Sequence, residues 1–61
     1  MIEKKNINGI KHIAEAVANH DSSISVTIKK ANEAVFNQRY RCSVEVAIKL
    51  AFHQYQQHCL G

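Results

Sequence analysis

Proline and tryptophan are absent from this 61-residue chain, and glycine occurs only as Gly9 and Gly61. Nothing therefore reads as a linker, and without a low-complexity run or an internal repeat there is no sign of a second domain. Cysteine is scarce: Cys42 and Cys59 are too few for the disulfide framework that staples small secreted domains. No charged-then-apolar signal segment opens the chain, so a reducing cytoplasm, of a bacterium or a phage-infected host, is the expected setting. Apolar runs extend only a few residues, far short of the roughly 20 that cross a bilayer, which predicts a protein without a membrane helix. Charge of neither sign dominates. Eight Lys and Arg stand against five Asp and Glu, a mild basic excess that suits a polyanionic partner without demanding one.

A single domain over residues 1–61 is all this length supports, and so small a core is marginal alone, which makes a homodimer the expected state. Residues 1–7 are polar and charged and read as a loose N-terminal arm until Asn6 or Asn8 can cap a helix. Ile10, Ile13, Ala14 and Val17 then follow the i, i+3, i+4, i+7 spacing of a helical stripe. That helix should stop at the turn-forming "NHDSS". The clearest helix is expected from about Ser43 to about His58, with Ser43 as N-cap, Glu45 in the first turn and Val44, Ala47, Ile48, Ala51, Phe52 and Tyr55 on one broad apolar face.

The middle of the chain reads in two ways. As a helix from about Ser23 to Phe36, its inner face is Ile24, Ile28, Ala31 and Val35, and Val26 points outward. As a strand over residues 23–29, Ile24, Val26 and Ile28 share one side while Ser25, Thr27 and Lys29 share the other, and the β-branched content favours this form.

"IKHIAEAV" resembles the first helix of helix-turn-helix repressors of the phage Cro and lactose-repressor-headpiece kinds, "TIKKANE" resembles the middle of their recognition helix, and "NQRYRCSVEVAIKLA" is similar to the loop and helix that close the bundle. The turn departs from that pattern, since "ANHDSS" is longer than the usual turn of about four residues and has no glycine. The resemblance implies an all-α, three-helix helix-turn-helix bundle that binds double-stranded DNA sequence-specifically as a transcriptional repressor or regulator. "ISVTIKK" followed by helices also resembles ribbon-helix-helix repressors, which implies a DNA-binding dimer built on a strand at residues 23–29.

Both resemblances lead to one chemistry, because a major groove admits either a helix or a two-stranded ribbon bearing short polar and cationic side chains. Ser25, Thr27, Lys29, Lys30 and Asn32 are of that type, and Arg39 and Arg41 flank Tyr40 just ahead of the last helix, suited to phosphate. From Lys29 to Arg41 the cations Lys29, Lys30, Arg39 and Arg41 face only Glu33. The bland alternative for each is a solvated polar surface, with Tyr40 tucked against the core by its ring. Phe52, Tyr55 and Leu60 are the apolar remainder of the last helix and the candidate dimer interface. A helical adaptor or inhibitor that docks an apolar face on a partner protein is the competing reading from another class.

No cofactor, metal or enzymatic role is expected. His53, His58 and Cys59 are not spaced to share one helical face, and His12 and His20, eight residues apart, are expected on the surface. A cysteine–histidine nucleophile would need a shaped pocket that 61 residues leave little room for, and cysteine is more often a small buried hydrophobe.

Overall fold

A computed structural model describes residues 1–60, with side chains to residue 58. Four strands come first, β1 (Ile2–Ile7), β2 (Ile10–Ala18), β3 (Ile24–Lys30) and β4 (Glu33–Tyr40), and one helix follows, α1 (Val44–Tyr55), which runs on into a π-helical turn, Gln56–Leu60. The strands form an antiparallel meander in the order β1-β2-β3-β4. The helix packs over β2, β3 and β4 on one side and leaves the other side of the sheet open. Among the described residues no helix is long and apolar enough to cross a membrane.

The turns explain why the chain doubles back where it does. Asn8 and Gly9 carry φ of 54° and 78°, and they are the whole connection between Ile7 and Ile10. Two central residues with positive φ are the signature of the hairpin turn whose twist matches its strands, and Asn-Gly is its preferred pair. Ala31 and Asn32 make the same turn between β3 and β4, with φ of 52° and 67°, although alanine resists that conformation. Between β2 and β3 the five-residue loop is held by side chains. Asp21 Oδ1 accepts from the Ser23 amide at 3.1 Å and from the Ser23 hydroxyl at 2.6 Å, and Asn19 Nδ2 donates to Ser23 Oγ at 3.0 Å.

Strand alternation places Ile24, Val26 and Ile28 of β3 against the helix together with His12, Ala14 and Ala16 of β2. From α1 come Ala47, Ile48, Ala51, Phe52 and Tyr55, the face expected from its spacing. Alanines on both sides, Ala14 beneath and Ala47 and Ala51 above, are fully buried, so helix and sheet approach closely with little side chain between them. Ser43 caps the helix as expected, its hydroxyl accepting from the Val46 amide at 3.4 Å.

This architecture replaces the all-α three-helix bundle. Residues 10–17 form β2 rather than a first helix, and "TIKKANE" runs from β3 through a turn into β4. The spacing of Ile10, Ile13, Ala14 and Val17 fits a helix, but period two wins because His12, Ala14 and Ala16 fill the space beneath α1, while Val17 is exposed. The N-terminal residues are not a loose arm: they are β1, and the Met1 ammonium donates to the Ala16 carbonyl at 3.1 Å. A strand does form where the ribbon reading put one, with Val26 completely buried. It lies inside the sheet, bonded by β2 and β4, so it has no free edge to pair with a second subunit as a ribbon-helix-helix dimer requires. His12 is buried rather than exposed. Phe52 and Tyr55, expected at a dimer interface, are 4 % and 3 % exposed and form the core against the sheet; the side chain of Leu60 lies outside the described residues.

Candidate nucleic-acid interface

The side of the sheet away from α1 carries the polar residues of the chain in rows. On β3 these are Ser25, Thr27 and Lys29, and on β4 Asn37 and Arg39. Ser25 lies opposite Arg39 and Thr27 opposite Asn37. Cross-strand neighbours on one face stand about 5 Å apart, which brings these side chains within reach of one another. Asn37 Nδ2 donates to Thr27 Oγ1 at 2.7 Å, and Asn19 Nδ2, at the head of the β2–β3 loop, donates to Ser25 Oγ at 2.8 Å. The hydroxyls and amides of this ribbon are thus ordered by each other, and each keeps donor or acceptor capacity towards solvent.

Two loose ion pairs flank the ribbon. Lys29 Nζ is 3.9 Å from Glu15 Oε2 on β2, and Arg39 Nη1 is 3.9 Å from Asp21 Oδ2 in the β2–β3 loop. All four side chains are about half exposed, so solvent screens both contacts and neither cation is committed to its partner. The Asp21 carboxyl lies below its ordinary value, chiefly because the Ser23 hydroxyl and amide bond to its charged form, with Arg39 adding a smaller pull. Lys4 of β1 and Lys11 of β2 extend the positive charge across the same face.

A β-bulge shapes the end of the ribbon. Ile28 pairs with Phe36 but Lys29 pairs with Ala34, so Val35 is an extra residue on β4. Bulges increase local twist and redirect neighbouring side chains, here beside Lys29.

Of the residues singled out from the sequence, Ser25, Thr27, Lys29 and Arg39 come together on this face. Lys30 does not: alternation turns it to the helix side, opposite His12 and Glu33. Asn32 sits in the β3–β4 turn, and Arg41 in the connection to α1, both exposed. The Tyr40 ring packs against the core, but its hydroxyl donates to Gln54 Oε1 at 2.6 Å rather than to water, and burial raises its phenol above the ordinary value near 10. The site residue that sequence reasoning missed is Asn37. Its signal was present in "VFNQRY", where Phe36 and Tyr40 share one parity and Asn37 and Arg39 the other. Among the described residues no three His, Cys, Asp or Glu side chains gather as a metal would need.

The β1–β2 half of the open face differs. Ile2, Ile13 and Val17 lie on it, with Ile2 61 % and Val17 52 % exposed. No protein-family model, curated protein or solved structure matches this chain.

Proposed function

We propose that the protein binds double-stranded DNA by laying the open face of its sheet, centred on the β3–β4 ribbon, into the major groove, and that it regulates transcription by occupying such sites. The observation that carries this reading is the cross-strand set Ser25, Thr27, Lys29, Asn37 and Arg39, gathered without apolar cover on a two-stranded ribbon. A major groove about 12 Å wide accepts a two-stranded ribbon, and its base edges offer partners to amide, hydroxyl and guanidinium groups. Asn37 would suit adenine, Arg39 guanine, and Lys4, Lys11 and Lys29 the phosphates on either side.

A fluorescence-anisotropy titration with a labelled random duplex tests this. If Lys4, Lys11 and Lys29 each neutralise a phosphate, the slope of log affinity on log salt is about −2.7, a loss of roughly 40-fold between about 50 and 200 mM salt. Absence of binding at the lower salt defeats the reading. The apolar strip of Ile2, Ile13 and Val17 favours a second one, in which the same face docks a partner protein.

A further inference from the structure

We propose that β1 is the seam of a homodimer, in which two copies pair their β1 strands antiparallel about a two-fold axis perpendicular to the sheet, making one continuous eight-stranded sheet with both helices on the same side.

Among the described residues strand β1 is bonded on one side only, by β2, and α1 packs chiefly over the other three strands. Five of its six residues are exposed. The direction of its backbone groups follows from its ends. Met1 and Ala16 exchange hydrogen bonds at 3.1 and 2.8 Å, and Ile7 and Ile10 close a two-residue hairpin. In an antiparallel pair the bonding residues alternate, so Glu3 and Lys5 also face β2, while Ile2, Lys4 and Asn6 present their N–H and C=O groups to the open edge. A regular row of unpaired groups is a template for another strand. The opposite edge, β4, is interrupted by its bulge at Val35, a feature that discourages pairing there.

Charge selects the register. A two-fold axis perpendicular to the sheet keeps each residue on its own face, so partners must share parity. Placing Lys4 on the axis pairs Ile2 with Asn6 of the other copy, gives roughly six backbone hydrogen bonds, and sets Glu3 against Lys5 twice, at the positions where side chains come closest, about 4.5 Å between Cα atoms. A shift of one step in either direction sets Glu3 against Glu3 or Lys5 against Lys5 and loses hydrogen bonds. Within the chain neither Glu3 nor Lys5 is ion-paired, among the described residues. Lys5 already leans toward the helix side, with Nζ 5.3 Å from the centre of the Phe52 ring. Beside it an open groove of about 420 Å³, lined by Glu3, Lys49, His53 and Gln56 among others, leaves room over the seam.

The two Lys4 side chains meet on the open face, where their repulsion opposes dimer formation and a polyanion would offset it.

Sedimentation equilibrium without DNA, at chain concentrations on the order of 0.1–1 mM, tests the seam apart from the DNA reading. The expected mass is twice the 6.9 kDa of the chain. Glu3→Lys alone should give monomer, and Glu3→Lys with Lys5→Glu should restore the dimer. Lys4→Pro removes an outward donor that β2 does not use and should also give monomer, with an unchanged circular-dichroism spectrum. A wild-type monomer throughout the range overturns the proposal, and so does a dimer that survives Glu3→Lys and Lys4→Pro.

Discussion

His12 and Tyr55, 43 residues apart, join across the buried interface between β2 and α1: the Tyr55 hydroxyl lies 3.1 Å from His12 Nε2. The other ring nitrogen, Nδ1, lies 2.9 Å from the Ile10 carbonyl, which can only accept, so Nδ1 carries the proton. In the neutral ring Nε2 is then the acceptor and the Tyr55 hydroxyl the donor. The rings also pack, with centroids 5.3 Å apart. A histidine that is 1 % exposed thereby has both nitrogens satisfied and ties the helix to the sheet.

Tyr55→Phe keeps the ring but leaves Nε2 buried without a donor, at a cost of about 1–3 kcal/mol. For a domain of this size each kcal/mol lowers Tm by about 4–8 °C. Replacing both partners, with His12→Leu and Tyr55→Phe, should cost less than the sum of the two single changes. A thermal melt of the three variants checks this, and strict additivity would refute the coupling.

The β3–β4 turn stores strain that the β1–β2 turn avoids. Replacing Ala31 and Asn32 by the Asn-Gly pair already used at residues 8–9 should stabilise the protein by about 1 kcal/mol, because alanine pays for its positive φ and asparagine and glycine do not. Gly9→Ala makes the converse case. An added Cβ would meet nothing within 4 Å, so its expected loss of about 1–2 kcal/mol is conformational alone. Urea midpoints report both changes.

Duplex affinity should distinguish the two neighbouring lysines. Lys29→Ala removes a phosphate-facing cation and should flatten the salt slope by about one unit, whereas Arg39→Ala, at a base edge, should cost about 1–3 kcal/mol of affinity and relax sequence preference. Lys30→Ala, on the helix side of the sheet, should leave the slope nearly unchanged. Equal losses from Lys29→Ala and Lys30→Ala would mean that the charge acts without regard to face.

Acid should loosen the β2–β3 loop. Asp21 is held below its ordinary value near 3.8 in the folded chain, so its contribution to stability is fully present above that value and is lost as pH falls through the lower folded value. The gap in urea midpoint between the wild type and Asp21→Ala should be widest at neutral pH and shrink in acid. A gap independent of pH would mean that the Asp21 charge does not carry its contribution.

The last helix was readable from "SVEVAIKLAFHQY" because cap, first-turn acid and apolar face agree, and each is a local property of the chain. The alternation of "ISVTIKK" was legible as one of two readings, and only the strand reading puts Ser25, Thr27 and Lys29 on one side. "NG" at residues 8–9 is the local signal of the first hairpin, and it argues for a strand rather than a helix at residues 10–17. The second hairpin had no such mark, since Ala31 takes a positive φ only because paired strands on either side force it.

What the sequence determined by itself was therefore local: where α1 begins, which of its residues form the apolar face, and that a mild excess of positive charge is concentrated in the middle of the chain. The tertiary structure decided the rest. Only the sheet places Asn37 beside Thr27 and sends Lys30 to the opposite face from Lys29. Only the helix laid across it makes His12 an inside residue, because a polar ring enters a core when a specific donor from a distant segment is there to meet it, and no local pattern records that meeting.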